Sequence, residues 1–197
     1  GLSEERIQEQ QQEIDNLNRQ LASNHPTKNF RVFKSIEADI LSDGQLDYSD
    51  DILKTFDLVI ASVHSQLTMT EDKAMNRLIK AIENPYTTIL GHPTGRLLLM
   101  REGYPLNHHK IIDACAANGV AIELNANPYR LDIDWRYIDY AMEKGVMVSV
   151  NPDAHEKSGY LDMHFGVLSG QKGGLQTSLT LNALNLVQFE AYLANRK

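Results

Sequence analysis

The sequence predicts an α/β protein in which helices alternate with parallel strands. Short, nearly continuous apolar runs recur along the chain, such as Leu58-Val59-Ile60-Ala61-Ser62-Val63, as strands covered on both faces require. Between them lie segments with apolar residues at helical spacing, opened by Thr, Asn or Asp and stopped by Gly or Pro. One design is laid down twice, 26 residues apart: Gly119-Val120-Ala121-Ile122-Glu123-Leu124-Asn125 and Gly145-Val146-Met147-Val148-Ser149-Val150-Asn151. Each is a helix stop, an apolar strand, then Asn and a proline-containing turn.

The elements follow in order. Residues 3–22 read as a surface helix: Ser3 caps it, Glu4 and Glu5 suit its first turn, and Ile7, Ile14, Leu17 and Leu21 form a narrow apolar seam. Phe30 to Ile36 reads as the first strand, Asp43-Gly44 as a turn and Tyr48 to Phe56 as a short helix. Leu58 to Val63 is the second strand. Thr70 caps a helix with Met75, Leu78, Ile79 and Ile82 on one face, and Pro85 follows its end. Thr87 to Leu90 is the third strand. Asn107 caps a helix whose Ile111, Ile112, Cys115 and Ala116 face inward, and Asn118-Gly119 stops it. Val120 to Leu124 is the fourth strand. Asp134 caps a helix through Met142, Gly145 stops it, and Val146 to Val150 is the fifth. A sixth is expected near Phe165 to Leu168. The whole is read as one domain: a surface helix over 1–22, βα units over 30–170 and a helical segment over 175–197.

A parallel sheet covered by helices is either an open sheet or a β/α barrel. A closed barrel usually takes about 250 residues, and this chain has 197. A chain that opens on a helix and has so few strands reads as a barrel lacking its first strands. With 42% apolar and 23% charged residues the composition is globular. The formal charge of −7 argues against strong duplex binding by the chain alone. The single cysteine, Cys115, excludes an internal disulfide and Cys-rich zinc motifs, and its place on an apolar helix face reads as inert packing. No apolar run approaches the ~18 residues needed to span a bilayer and no signal peptide opens the chain, so a cytoplasmic protein with no membrane partner is expected. Gly-x-Ser-x-Gly, P-loop and dinucleotide motifs are absent.

Chemistry is signalled by position. Glu37 ends the first strand, His64 follows the second, His92 follows the third in Gly91-His92-Pro93-Thr94-Gly95-Arg96, and Asp153 and His155 follow the fifth. In a parallel β/α architecture all strand C-termini share one rim, where active sites are built. A lone histidine after a strand is most often a cap or a core residue. Five His, Asp and Glu residues at equivalent places are not independent accidents, and they suit zinc, manganese or iron. Asp153 and His155 stand two apart, so along extended chain both side chains point the same way. Arg96 and Arg130, in loops beyond the third and fourth strands, are candidates for binding phosphate, and Arg101 is a weaker one. Asn125 and Asn127 either bond a ligand or shape the turn before Pro128. His25 is placed in a polar turn, His108 and His109 in an exposed first helical turn, and His164 in a loop.

The blocks Ile36-Glu37-Ala38-Asp39-Ile40, Ala61-Ser62-Val63-His64-Ser65, Ile89-Leu90-Gly91-His92-Pro93-Thr94-Gly95-Arg96 and Asn151-Pro152-Asp153-Ala154-His155 resemble the PHP (polymerase and histidinol phosphatase) family. Glu102-Gly103-Tyr104 and Glu123-Leu124-Asn125-Ala126-Asn127-Pro128 extend the likeness to the C-terminal PHP domain of bacterial family X DNA polymerases. The resemblance implies a distorted (β/α)7-type barrel holding up to three divalent ions, manganese or zinc. It implies that Glu37 bridges two ions, that His64 and His92 complete one site, and that Asp153 and His155 serve the others, with Glu37 and Asp153 catalytic. The family's His-x-His motif and its Asp-His-Ser block are absent here, and Gly1-Leu2-Ser3-Glu4-Glu5 resembles the segment just after that block. The expected fold is therefore an incomplete PHP barrel.

The leading functional reading is a metal-dependent phosphoesterase with a 3′-5′ exonuclease or phosphodiesterase role in DNA repair. DNA would be held through a polymerase portion outside this chain. The alternatives are a histidinol-phosphatase-like enzyme acting on a small phosphate ester, and a non-catalytic PHP scaffold. Either a homodimer through the exposed barrel edge or residues 1–22 folded over that opening is a further expectation.

Overall fold

The computed structural model describes residues 1–24 and 30–196. His25 and Lys197 lie outside the described residues. Five strands, β1 (Ser35–Asp39), β2 (Leu58–Ser62), β3 (Thr87–Leu90), β4 (Ala121–Asn125) and β5 (Val148–Asn151), pair in chain order and wholly in parallel. The helices are α1 (Glu4–Asn24), α2 (Asp50–Leu53), α3 (Glu71–Ile82), α4 (His108–Asn118), α5 (Ile138–Glu143), α6 (Met163–Lys172) and α7 (Leu186–Ala194). Parallel crossovers are right-handed, so a strictly sequential order carries every connecting helix to one face. That is the winding of a barrel, and the sheet is a partial α/β barrel.

Strand alternation divides the two faces. Ile36 and Ala38, Val59 and Ala61, Ile122 and Leu124, and Val148 and Val150 join the core formed with Leu78 and Ile82 of α3, Ile111 and Ile112 of α4 and Ile138 of α5. The residues between them face the other way. There Ile60, Ile89 and Ala121 are covered by Leu181, Leu184, Phe189 and Tyr192 of the C-terminal segment. The same alternation leaves Glu37, Asp39, Ser62, Glu123, Asn125 and Asn151 on that face, towards the strand ends.

The helix boundaries follow the predicted caps. Thr70 accepts from Lys73 N, Asn107 from Lys110 N and Asp134 from Arg136 N. Gly119 and Gly145 take left-handed backbone, φ 61° and 70°, where α4 and α5 stop. The Asp134 helix starts with a 3-10 turn, Trp135–Tyr137, before α5. Helix α1 sends Ile7 into the main core and lies along β1 and α2 through Lys34–Asp15 (2.8 Å) and Gln11–Thr55 (2.8 Å).

Three expected elements differ. The first strand starts at Ser35, not Phe30, because the Val32 backbone is occupied elsewhere: its N–H and carbonyl both pair with the Asn18 side chain at 2.8 Å. Phe33 meanwhile packs edge-on against Phe189. The short helix is confined to Asp50–Leu53. The sixth strand is helix α6, which buries Gly166, Ser169 and Gly170 at helical spacing. A Cβ on Gly166 would stand 2.5 Å from the Ala126 Cβ, so small residues let this helix dock close to the sheet. His164 is therefore helical and exposed.

Ile122 of β4 is fully buried, with strands paired on both sides of it. Ile122→Ala should cost about 2–5 kcal/mol, and Thr70→Ala about 1 kcal/mol through loss of the cap. Urea unfolding of the two variants checks this ranking.

Candidate metal centre

The ladder sets Glu37 of β1 beside Ile60 of β2, and Asp39 beside Ser62, two residues before His64. The chain after β3 runs tight against β2: a Cβ on Gly91 would stand 2.2 Å from Ser62 Oγ, so glycine is required there. That close passage brings His92 to His64. Glu37 Oε1 lies 3.3 Å from His64 Nε2 and 3.3 Å from His92 Nε2. The two rings meet edge to face with centroids 5.1 Å apart. One ligand atom from each of the three residues falls within 4.8 Å of the others. His92 is buried while His64 and Glu37 are partly exposed, so the centre opens on one side.

Surrounding groups orient these three. The Asp39 carboxylate pairs with His64 Nδ1 and turns Nε2 inward, as carboxylates behind metal-binding histidines do. His92 N donates to Glu123 Oε2 at 2.6 Å, and Glu123 Oε1 accepts from Asn151 Nδ2 at 2.8 Å. Asn125 Nδ2 lies 3.4 Å from Glu123 Oε2 and 3.1 Å from Asp153 Oδ2. A polar chain thus runs from His92 through Glu123 and Asn125 to Asp153. Burial pushes the Glu123 carboxyl up to about 7 against the pull of the His92 charge and the Asn151 amide. Sequence reasoning gave Glu123 no role in the site. Its signal was there, as a carboxylate inside an apolar strand at a position that alternation puts on the Glu37 face.

Burial raises the Glu37 carboxyl, but its contacts with His64 and His92 prevail and hold it well below the usual carboxylate range. His64 is pushed up to about 9, chiefly by Glu37, against partial burial and with help from Asp39. Burial lowers His92, yet the Glu37 contact and the Glu123 charge carry it above the ordinary imidazole value. Without a metal, a proton on His64 balances the Glu37 charge. His92 Nδ1 is buried with no hydrogen-bond partner among the described residues. One carboxylate and two imidazoles converging in this way fit a divalent ion.

The other expected residues are placed unequally. Asp153 stands at the rim, 3.5 Å from Arg130 Nε, but outside the three-residue group. His155 is turned to solvent, its side chain 88% exposed and its Nδ1 bonded to Asp153 O at 2.9 Å. Asp153 has left-handed backbone, φ 52°, which breaks the extended run that would have pointed both side chains one way. Arg96 is not free for phosphate. Its Nε bonds Arg130 O at 2.9 Å, one Nη bonds Asp134 Oδ2 at 2.9 Å and the other bonds Leu131 O. Arg101 is likewise committed, to Gly95 O. Arg130 is the arginine at the centre, and its charge reaches His92. Asn127 shapes the turn by accepting from Tyr129 N, whereas Asn125 both shapes it and holds Asp153.

His108 is half-buried rather than exposed, stacked on Tyr137 at 3.9 Å, and burial pushes it down to about 4. Cys115 is fully buried, and burial pushes its thiol up to about 12. Among the described residues, Gln66, Leu99, Leu131 and Asp153 are the non-glycine residues with left-handed φ. They lie in the loops that leave β2, β3, β4 and β5 in turn, so backbone strain collects on the rim that carries the centre.

In metal-stripped protein the His64 Cε1 proton should titrate near 9, and Glu37→Gln should move the midpoint back towards 6.5. Since the folded value lies above the unfolded one, this contribution to stability is complete below pH 6.5 and is lost as pH rises through about 9. NMR titration of both proteins measures the shift. Glu123→Ala strands the buried His92 N–H and Asn151 amide and should cost about 1–3 kcal/mol by urea unfolding.

No family model matches the chain. It is 42% identical over 193 residues to the DNA polymerase/3′-5′ exonuclease PolX of Bacillus subtilis, covering 98% of this chain and 33% of that protein. It is 34% identical over 134 residues to a probable phosphatase of Caldanaerobacter subterraneus, covering 63% of this chain and 50% of that protein. A probable phosphatase of Thermoanaerobacter sp. is 28% identical over 176 residues, covering 84% and 69%. The chain thus spans a third of the first relative's length and half of the second's. These relatives bear out the resemblance carried by the blocks around Glu37, His64, His92 and Asp153, and the chain is consistent with the PHP domain of family X polymerases.

Proposed function

We propose that this chain is the metal-dependent phosphoesterase domain of a bacterial family X DNA polymerase, and that it trims the 3′ ends of DNA during repair in the cytoplasm. The observation that carries this reading is the convergence of Glu37, His64 and His92 on one rim, beside Arg130 and Asp153. Glu37, His64 and His92 would hold a divalent ion, and Asp153 and His155 would serve further ions as the resemblance implies. Zinc and manganese both suit these donors. When bound, the metal supplies an activated water and polarises the phosphoryl oxygen.

The protein's own groups do the rest. Arg130 offers a guanidinium to a phosphate oxygen. Asn125 and Arg130 fix the Asp153 carboxylate, and Asp39 fixes the His64 ring. The net charge of −7 leaves grip on DNA to the remainder of a longer polypeptide. A second reading, hydrolysis of a small phosphate monoester, is favoured by the similarity to probable phosphatases.

Elemental analysis after dialysis should find bound zinc or manganese that is lost in the His64→Ala, His92→Ala double variant. Unchanged metal content in that variant overturns the assignment. Asp39→Ala should weaken metal binding about 10–100-fold. Manganese-dependent release of nucleotides from a single-stranded oligonucleotide, abolished by Asp153→Ala, supports the exonuclease. Release of phosphate from monoesters alone supports the second reading, and neither activity in metal-loaded protein supports the scaffold.

A further inference from the structure

Helix α3 carries an arginine almost out of reach of solvent: Arg77 is 3% exposed. Its fork is spent on three main-chain carbonyls. Nε donates to Leu41 O at 2.8 Å, one Nη donates to Ser65 O at 3.0 Å and the other to Ile40 O. Among the described residues no carboxylate pairs with it, so carbonyl dipoles alone meet this buried cation. The three carbonyls belong to two rim loops. Ile40 and Leu41 follow Asp39, the last residue of β1, and Ser65 follows His64. The ladder pairs Asp39 with Ser62, and Ile40 N donates to Ser62 O at 2.7 Å. Strand pairing ends there, so it does not fix His64, two residues further on. His64 reaches back to Asp39 and Glu37 with its ring alone.

The Arg77 fork joins the chain on both sides of that contact, one residue after Asp39 and one residue after His64. The loop after β1 also rests directly on α3. Gly44 has a φ of 84°, and a Cβ there would stand 2.8 Å from Arg77 O and 2.8 Å from the Lys80 Cβ. Gln66, next after Ser65, takes left-handed backbone, φ 52°, so the second loop is strained where Arg77 grips it. A planar guanidinium with five donors can hold three carbonyls at once, whereas a lysine ammonium is a point charge on a flexible stem. We infer that Arg77 is a positioning residue of the metal centre: by clasping the exits of β1 and β2 it holds His64 against the Asp39 carboxylate that orients the ring. The inference rests on the proposed metal site and adds to it a group that touches neither the ion nor its ligands' side chains.

The test is metal binding without turnover. The 197-residue chain, stripped of metal, is titrated with cobalt(II), whose visible absorption reports its ligands and which the same donors suit. Arg77→Met should bind cobalt about tenfold more weakly and with an altered band. Arg77→Lys, which keeps the charge without the fork, should lose about as much. If Arg77 acts through the Asp39–His64 contact, Arg77→Met added to Asp39→Ala should weaken binding by under about twofold more. Ile138→Ala, which removes core packing in α5, should lower the urea midpoint and leave cobalt affinity and spectrum unchanged. Circular dichroism checks that each variant is folded under the binding conditions, and Arg77→Lys carries the comparison if Arg77→Met does not fold. Wild-type affinity and spectrum in the Arg77 variants overturns the inference. So does a full further loss in the Asp39→Ala background, or an equal loss in Ile138→Ala, which would assign the effect to stability alone. A wild type that binds no cobalt overturns the metal site and this inference with it, so the wild-type titration tells the two failures apart.

Discussion

Glu37 lies between two imidazoles, and much of the rim is arranged around that contact. A carboxylate partly removed from water is less favourable as an anion unless opposite charge meets it. Here His64 and His92 meet it at 3.3 Å each. The arrangement needs three neighbouring strands in a fixed register, because Glu37 lies within β1 while both histidines follow strand ends. The close passage of Gly91 over Ser62 brings the third strand's loop into reach.

Behind this contact lies a fully buried carboxylate with a different task. Glu123 sits on β4 in an apolar run and, among the described residues, makes no ion pair; amide groups satisfy it instead. The His92 backbone N–H, the Asn151 amide and, at longer range, the Asn125 amide converge on it. A buried carboxylate with fewer partners would be costly. Its effect is to tie the loop after β3 to the strands on its far side, so that His92 and Asp153 are positioned by one polar network.

The arginines divide in a way that their loop positions alone do not show. Arg96 and Arg101 spend their guanidinium groups on carbonyls of the rim loops and act as internal staples. Arg130 retains a direction towards the centre. The same loops hold left-handed residues, and the staples resist their relaxation. Rigid, strained loops on a parallel sheet are suited to presenting a few groups at fixed separations.

The sequence by itself determined the alternation of helices and strands, most caps and stops, and the rim position of Glu37, His64 and His92. These depend on local signals: apolar runs, Thr70, Asn107 and Asp134 as caps, Gly119 and Gly145 as stops, and the place of each polar residue after its strand. Other features depended on partners distant in the chain, and only the tertiary structure decided them. Asn18 took the backbone of Val32 and delayed β1. Ala126 and Val150 received Gly166, so an apolar stretch became a helix instead of a sixth strand. Arg96 met carbonyls some 34 residues away and is spent on the loops, whereas Arg130 faces Asp153. Asp153 turned left-handed and sent His155 to solvent. Glu123 was legible as an oddity in its strand, but its donors come from the loop after β3 and from β4 and β5, and no local pattern brings those together.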